Sequence, residues 1–355
     1  METQYDVITR RQALRAMSAF TAMAGAAGLL AACGDDDSSE SAASGGASSS
    51  KEPTKLNVLG EWLPWAAHAP VIVAINKGYF ADNGLEVDFK GPPQPGDQMK
   101  FVAGGRSEIS LTQTPDVIRA RGTGIPVKII GRLSNGQPTG IMAHPDTKLT
   151  DPKDLIGKTI GMAQTPDHIG GVNTMLETAG VDPADVKMVN KGYAGVQLVM
   201  TKKVDYLFAP LAGEYTVVRV ETGKTPPFLK STDYGVPNFP LLVWFAKEDY
   251  IAKNPEVITG FLGAISKGAK DVLAGGPDLD AAIDEIAKLN DSFTREQHAA
   301  GAEDWMDYYT EDPVVGPEVI EETQKWMEGV EVDGKPWLPA DQVEAPDTYL
   351  AETAT

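Results

Sequence analysis

The sequence predicts an α/β protein built as two lobes with a hinge and a ligand cleft between them. Three observations carry this. From Thr54 to Ala246, short apolar runs alternate with helical segments, the pattern of parallel sheets covered by helices. The strand–helix units of 54–133 are loosely echoed by those of 158–229. Between them lie two stretches rich in Gly, Pro and Asn, 134–140 and 234–240, which read as crossings between lobes. A chain that crosses out and back makes one discontinuous lobe, 54–139 with 241–355, and one continuous lobe, 140–240. Such lobes close about their hinge over a ligand.

The strands follow in order. Apolar or alternating runs mark 56–59, 85–89, 109–113, 127–133, 140–143, 159–163, 187–190, 206–209 and 241–246. Helical spacing fills most gaps: 70–77, 98–103, 115–121, 171–179, 194–200 and 213–221. After Ala246 the pattern turns to helices alone. Ile258, Phe261, Leu262, Ile265, Ala269 and Val272 form one apolar stripe over 255–274, and further helices fall near 280–289, 295–309 and 317–327.

The first fifty residues carry an address. Residues 9–15, including Arg10 and Arg11, resemble a twin-arginine export motif, followed by an Ala-rich run over 16–32. That run is short for a membrane span, which needs about 20 apolar residues. It ends in Leu30, Ala31, Ala32 and Cys33, a match to a bacterial lipobox, and Cys33 is the single cysteine of the chain. The expectation is a leader of 1–32, a diacylglycerol on the Cys33 thiol, and no cysteine left for a disulfide or metal site. Residues 33–53 are small and polar and read as a flexible tether.

Composition bounds the partners. With 42% hydrophobic residues the body is that of a globular domain, and no later segment is apolar enough to span a membrane. The formal net charge of −19 argues against nucleic acid or an anionic surface as partner.

The most informative stretch is 62–87. Trp62, Trp65 and His68 stand just before a helix opened by Pro70, whose missing N–H costs nothing in a first turn. Aromatic groups at such a strand-to-helix junction lie where open α/β sheets bind ligands. Trp62, Pro64, His68, Lys77, Gly78, Tyr79, Phe80, Gly84 and Leu85 together resemble the opening of the thiamine-pyrimidine-precursor-binding proteins. These are solute receptors of ABC importers that share a fold with pyrimidine synthase, and their pattern is Trp-x-Pro-Asn-x-x-His followed by Lys-Gly-Tyr-Phe and Gly-Leu. Trp65 stands where that family has asparagine. The Lys-Gly-Tyr-Phe part is shared with sulfonate, taurine and nitrate receptors. The resemblance implies a type II periplasmic-binding-protein-like fold and runs to about residue 330.

Further candidates sit at other strand ends. Glu214 follows an apolar strand at the start of a helix, where the dipole favours a carboxylate. The resemblance implies that it contacts a pyrimidine, with Tyr215 beside it. Gln113 and Thr114 close one strand and open a helix. Gly170, Gly171 and Asn173 do so in the second lobe, where glycines would let backbone approach a ligand. Each set reads equally as ordinary helix capping. His168 is a lone loop histidine. Phe239, Trp244, Tyr193 and Trp305 are further aromatics, Trp244 reading as core.

The leader, lipobox, tether and aromatic junction fit a non-catalytic, lipid-anchored receptor outside the cytoplasm. It would deliver a flat heteroaromatic compound, foremost a thiamine pyrimidine precursor, to an ABC permease and ATPase. A flavin or a sulfonate remains an alternative ligand. A synthase of the same fold is the enzyme alternative, against which stand one cysteine and four dispersed histidines, His68, His144, His168 and His298. No cofactor, metal or nucleic acid is expected.

Overall fold

The computed structural model describes residues 52–354 apart from Pro95, Tyr193 and Asp333. The expected leader, Cys33, residues 33–51 of the tether and the candidate Tyr193 lie outside the described residues.

Ten strands make two five-stranded sheets. The first joins β1 (Thr54–Leu59), β2 (Leu85–Lys90), β3 (Ile109–Thr112), β4 (Val127–Arg132) and the late β10 (Val243–Lys247), in the order β2-β1-β3-β10-β4. The second joins β5 (Thr139–Ala143), β6 (Thr159–Met162), β7 (Lys187–Asn190), β8 (Tyr206–Pro210) and β9 (Phe228–Lys230), in the order β7-β6-β8-β5-β9. Each sheet is mixed rather than wholly parallel, which corrects the expectation from alternation. β10 runs antiparallel to β3 and β4, and β5 runs antiparallel to β8 and β9. Those two strands are the ones that follow a crossing, so each enters its sheet from the hinge side, against its neighbours.

The crossings are tied to each other. Leu133 N–H donates to Leu242 O (2.9 Å) and Leu241 N–H to Gly136 O (3.0 Å). Leu242 N–H donates to Ser134 Oγ (2.9 Å), and Gln137 N–H to Asn238 Oδ1 (3.0 Å). Gly136 has φ +96°, and a Cβ there would lie 2.7 Å from Asn238 Oδ1, so only glycine serves at this turn.

Helices cover the sheets: α1 (Ala69–Asn76), α2 (Asp97–Ala103), α3 (Thr114–Gly122), α4 (Pro166–Thr178), α5 (Gly195–Met200), α6 (Thr216–Thr222), α7 (Glu248–Lys253), α8 (Pro255–Ala274), α9 (Pro277–Leu289), α10 (Arg295–Asp304) and α11 (Pro317–Gly329). The apolar stripe expected on α8 is buried throughout, and Phe261 meets Trp244 of β10 edge-on at 4.9 Å. α8 approaches α1 so closely that a Cβ at Gly268 would sit 2.1 Å from Pro70 O.

The C-terminal stretch touches helices that cover both sheets. α11 packs on α3, while its Trp326 Nε1–H donates to Thr174 Oγ1 of α4 (2.8 Å). A two-strand hairpin, Glu331–Val332 with Lys335–Pro336, interrupts the all-helical C-terminal part. Among the described residues no helix is long and apolar enough to cross a membrane.

Gly268→Ala should destabilise the protein by about 1–3 kcal/mol, since a methyl driven into backbone is relieved only by separating two helices. A urea unfolding midpoint equal to that of the wild type would show that α1 and α8 have slack.

Candidate functional site

The β1–α1 junction folds around a carboxylate that the sequence reading passed over. Trp65 Nε1–H donates to Glu61 Oε1 (2.7 Å), and His68 Nε2 lies 2.8 Å from Glu61 Oε2. His68 Nδ1 accepts from Trp65 N–H at 3.4 Å, so Nε2 carries the proton and donates to Glu61. Burial would push the Glu61 carboxyl up, but His68 and the Trp65 donor outweigh it and hold it below its usual range. Gly60 and Gly91 admit this loop: a Cβ at either would come within 3.0–3.1 Å of Trp62 O. Asn290 Nδ2–H donates to Pro64 O (3.0 Å) and Tyr309 O–H to Ala66 O (2.6 Å), tying the loop to the C-terminal part.

This geometry divides the aromatic candidates. Trp65 is 5% exposed and meets Trp305 edge-on at 4.9 Å, and His68 is fully buried. Both were expected to touch ligand. Their polar atoms are spent on Glu61 and on each other, so they are packing and positioning groups. Trp62 stays half-buried, its ring 6.0 Å from Phe293. Trp244, Trp305 and Phe239 are core.

At the β3–α3 junction Thr114 is fully buried and its Oγ1–H donates to Pro240 O (2.7 Å). Its hydroxyl is thus engaged by the second crossing. Gln113 is half-buried, and its side chain makes no cap bond to α3. Beside it, Thr112 Oγ1–H donates to Asp116 Oδ2 (2.7 Å), and Gln98 Nε2–H donates to Thr112 Oγ1 (3.3 Å). Burial, together with the carboxyl of Asp167, pushes Asp116 up to about 6. Asp116 belongs to the first lobe and Asp167, in the first turn of α4, to the second. The starts of α3 and α4 are therefore close enough for their carboxyls to repel.

The second-lobe candidates divide as well. A Cβ at Gly170 would meet the Trp337 ring at 3.0 Å, and one at Gly171 the Phe208 ring at 3.1 Å. Both glycines give room to aromatic rings in this structure. Asn173 Nδ2–H donates to Glu331 O (3.3 Å), on the side of α4 that meets the C-terminal hairpin. The Tyr215 ring lies against Phe228 at 5.3 Å, and burial pushes its phenol up. Glu214 lies in a wide turn, Leu211–Tyr215, ahead of α6. Its Oε1 accepts a short hydrogen bond from the ammonium of Lys191, a side-chain cation where the sequence suggested a helix dipole. Burial, followed by the nearby Lys191 charge, holds His168 below its usual range despite Asp167 and Glu214, so its imidazole is neutral at pH 7.

Asp116, Asp167, His168, Lys191 and Glu214 thus form one electrostatic cluster at the facing strand ends. The aromatic corner adjoins it through α10. A Cβ at Gly301 would lie 3.0 Å from Ala212 O, in the Glu214 turn, and 3.3 Å from Ala66 Cβ, in the Trp65 turn. The cluster offers acceptors to a donor-bearing guest. Among the described residues no group of His, Cys, Asp or Glu has metal-holding geometry. A separate open groove of about 490 Å³, lined by Arg219, Lys224, Glu296 and Glu303 among others, lies between α6 and α10, away from these strand ends.

Glu61, Asp116, Asp167 and Lys191 are polar members of these junctions that the sequence reading did not single out. Glu61 could have been suspected from its place seven residues before His68 at a strand end. The two aspartates read as ordinary first-turn helix residues, and nothing local marks Lys191.

Residues 65–277 match the family described as NMT1/THI5 like. The chain belongs to that family. The formylaminopyrimidine-binding protein of Halalkalibacterium halodurans is 32% identical over 214 residues. The match spans 60% of this chain and 64% of that protein, less than two thirds of the relative's length. A 4-amino-5-hydroxymethyl-2-methylpyrimidine phosphate synthase of Saccharomyces cerevisiae is 25% identical over 230 residues, covering 62% of this chain and 67% of that one. The periplasmic aliphatic sulphonate binding protein of Escherichia coli shares the fold with a TM-score of 0.64 at 15% identity, over 77% of this chain and 90% of that one. The periplasmic-binding-protein fold expected from the sequence is therefore the fold of this chain.

Asp116 supplies a pH test. A carboxyl whose folded value of about 6 exceeds its ordinary 3.8 costs nothing below both values. The cost grows as pH rises between them and is complete above 6. Asp116→Asn should therefore gain stability over the wild type as pH rises from 4 to 7, on the order of 1–2 kcal/mol after allowance for its partial exposure. Thermal melts across that range measure it, and a wild-type/variant difference independent of pH would mean that Asp116 ionises freely.

Proposed function

We propose that the protein is the solute-binding component of an ABC importer, held outside the cytoplasm by lipid on Cys33. Its ligand is a small aminopyrimidine of the thiamine-precursor class, taken between the lobes. The observation that carries this reading is the excess of carboxyls at these strand ends: Asp116, Asp167 and Glu214 outnumber Lys191 and the Arg119 charge felt by Asp116, beside a neutral His168. A flat ring bearing amino groups finds acceptors there. Donors placed between Asp116 and Asp167 also relieve their repulsion, so that the guest favours the closed arrangement of the lobes.

The same charges weigh against the other ligands. A sulfonate would enter beside three carboxyl groups, an arrangement that rejects it whatever fold it shares with sulphonate receptors. A flavin presents one ring N–H and no exocyclic amine, and so uses fewer of the acceptors. The name of the 32% identical relative supports an aminopyrimidine. It also supports a receptor over a synthase, since the synthase cited stands at 25% identity. Trp62 and Gln113, half-buried at the first-lobe strand ends, are the proposed flanking contacts for the ring.

Calorimetric titration with 4-amino-5-hydroxymethyl-2-methylpyrimidine, an alkanesulfonate and riboflavin tests the ligand class, and binding of the sulfonate in place of the pyrimidine would sink the reading. Glu214→Gln should weaken the pyrimidine more than tenfold, about 1.4 kcal/mol, and should also lower stability because Lys191 loses its counter-charge, so near-UV circular dichroism is needed to confirm that the variant is folded. Equal affinities in the two proteins would remove Glu214 from the site.

A further inference from the structure

We propose that Lys191 is a specificity-determining residue of the cleft, one that holds one oxygen of Glu214 so that the other is presented to an amino group of the ligand. The proposal rests on the aminopyrimidine reading given above. Lys191 is 8% exposed, and its Nζ donates both to Glu214 Oε1 and to Phe208 O (3.2 Å). A buried ammonium is retained only when paired, so its direction is set by these two acceptors. Among the described residues no hydrogen bond reaches Glu214 Oε2.

The surroundings are built for this pair. Gly195 opens α5 directly against it: a Cβ there would lie 2.9 Å from Glu214 Oε1 and 3.2 Å from Lys191 Cδ. The lysine stem passes Gly161 of β6, where a methyl would stand 3.5 Å from Lys191 Cβ in ordinary contact and 2.9 Å from Leu207 Cδ2. His168, packed edge-on against Phe208 at 5.0 Å, covers the same ground from α4 as a neutral ring. A carboxylate pinned through one oxygen remains an acceptor in a single orientation. It accepts from an exocyclic amine but opposes a ring carbonyl at the same position, where two acceptors would meet unpaired. Lys191 thus acts on the ligand through Glu214.

The experiment compares 4-amino-5-hydroxymethyl-2-methylpyrimidine with its 4-oxo counterpart by calorimetric titration, with near-UV circular dichroism as the check on folding. Lys191→Met should weaken the amino compound at least tenfold and the oxo compound less, shrinking the preference between them. In a Glu214→Gln background the same change should cost less than twofold. An equal loss in both backgrounds, or an unchanged amino/oxo preference, overturns the proposal and leaves Lys191 a purely structural residue. If Lys191→Met does not fold, Gly195→Ala tests the same point with every charge retained. Its methyl displaces the pinned carboxylate and should reduce amino-compound affinity at least fivefold, and unchanged affinity overturns the proposal. A wild-type protein that binds neither pyrimidine overturns the ligand reading along with it, whereas binding that ignores Lys191 and Gly195 overturns this inference alone.

Discussion

The pairing of the two crossings is the constraint on which the rest of the architecture hangs. Leu133, Ser134 and Gly136 hydrogen-bond Leu241 and Leu242, and Thr114 adds Pro240, so the chain leaves and re-enters the first lobe at one place. Because the return strand enters there, β10 must oppose its neighbours, and β5 does the same in the second sheet. The parallel strands on both sides then end toward the gap between the lobes. Helix starts at Asp116 and Asp167 meet across it, and loop chemistry collects there without either sheet needing a special shape.

Charge burial shapes what collects there. Glu61 is buried but satisfied by an indole and an imidazole, which fixes the first junction as a rigid corner. Glu214 is satisfied at one oxygen by a buried ammonium. At Asp116, burial and the carboxyl of Asp167 outweigh the Arg119 charge and raise it. Paired carboxylates on one side and a repelling pair on the other leave the acceptors that the proposed donor-bearing ligand would use. The shared fold with a sulphonate receptor does not bear on this, because the fold delivers the strand ends and the side chains decide the sign of the ligand.

How much was legible follows from the range of each interaction. The strand and helix pattern, the α8 stripe and both crossings are local, and periodicity or turn composition exposes them. The family was legible because Trp62, Pro64, His68 and the 77–80 run lie close together in sequence. The individual site roles were not. Trp65 and His68 carry the right chemistry in the right place, yet Glu61 and Trp305 claim them. Thr114 looked free until Pro240, distant in sequence, took its hydroxyl. Gly170 and Gly171 looked like a ligand cradle until Trp337 and Phe208 occupied the space.

The amino-acid order alone thus determined the α/β alternation, the two-lobed path and the family, since each is written in neighbouring residues. Only the tertiary structure decided which polar groups are already spoken for. Hydrogen bonding and burial are settled between positions far apart in the chain, as when Lys191 finds Glu214 and Asp116 finds Asp167, and no local pattern records such meetings.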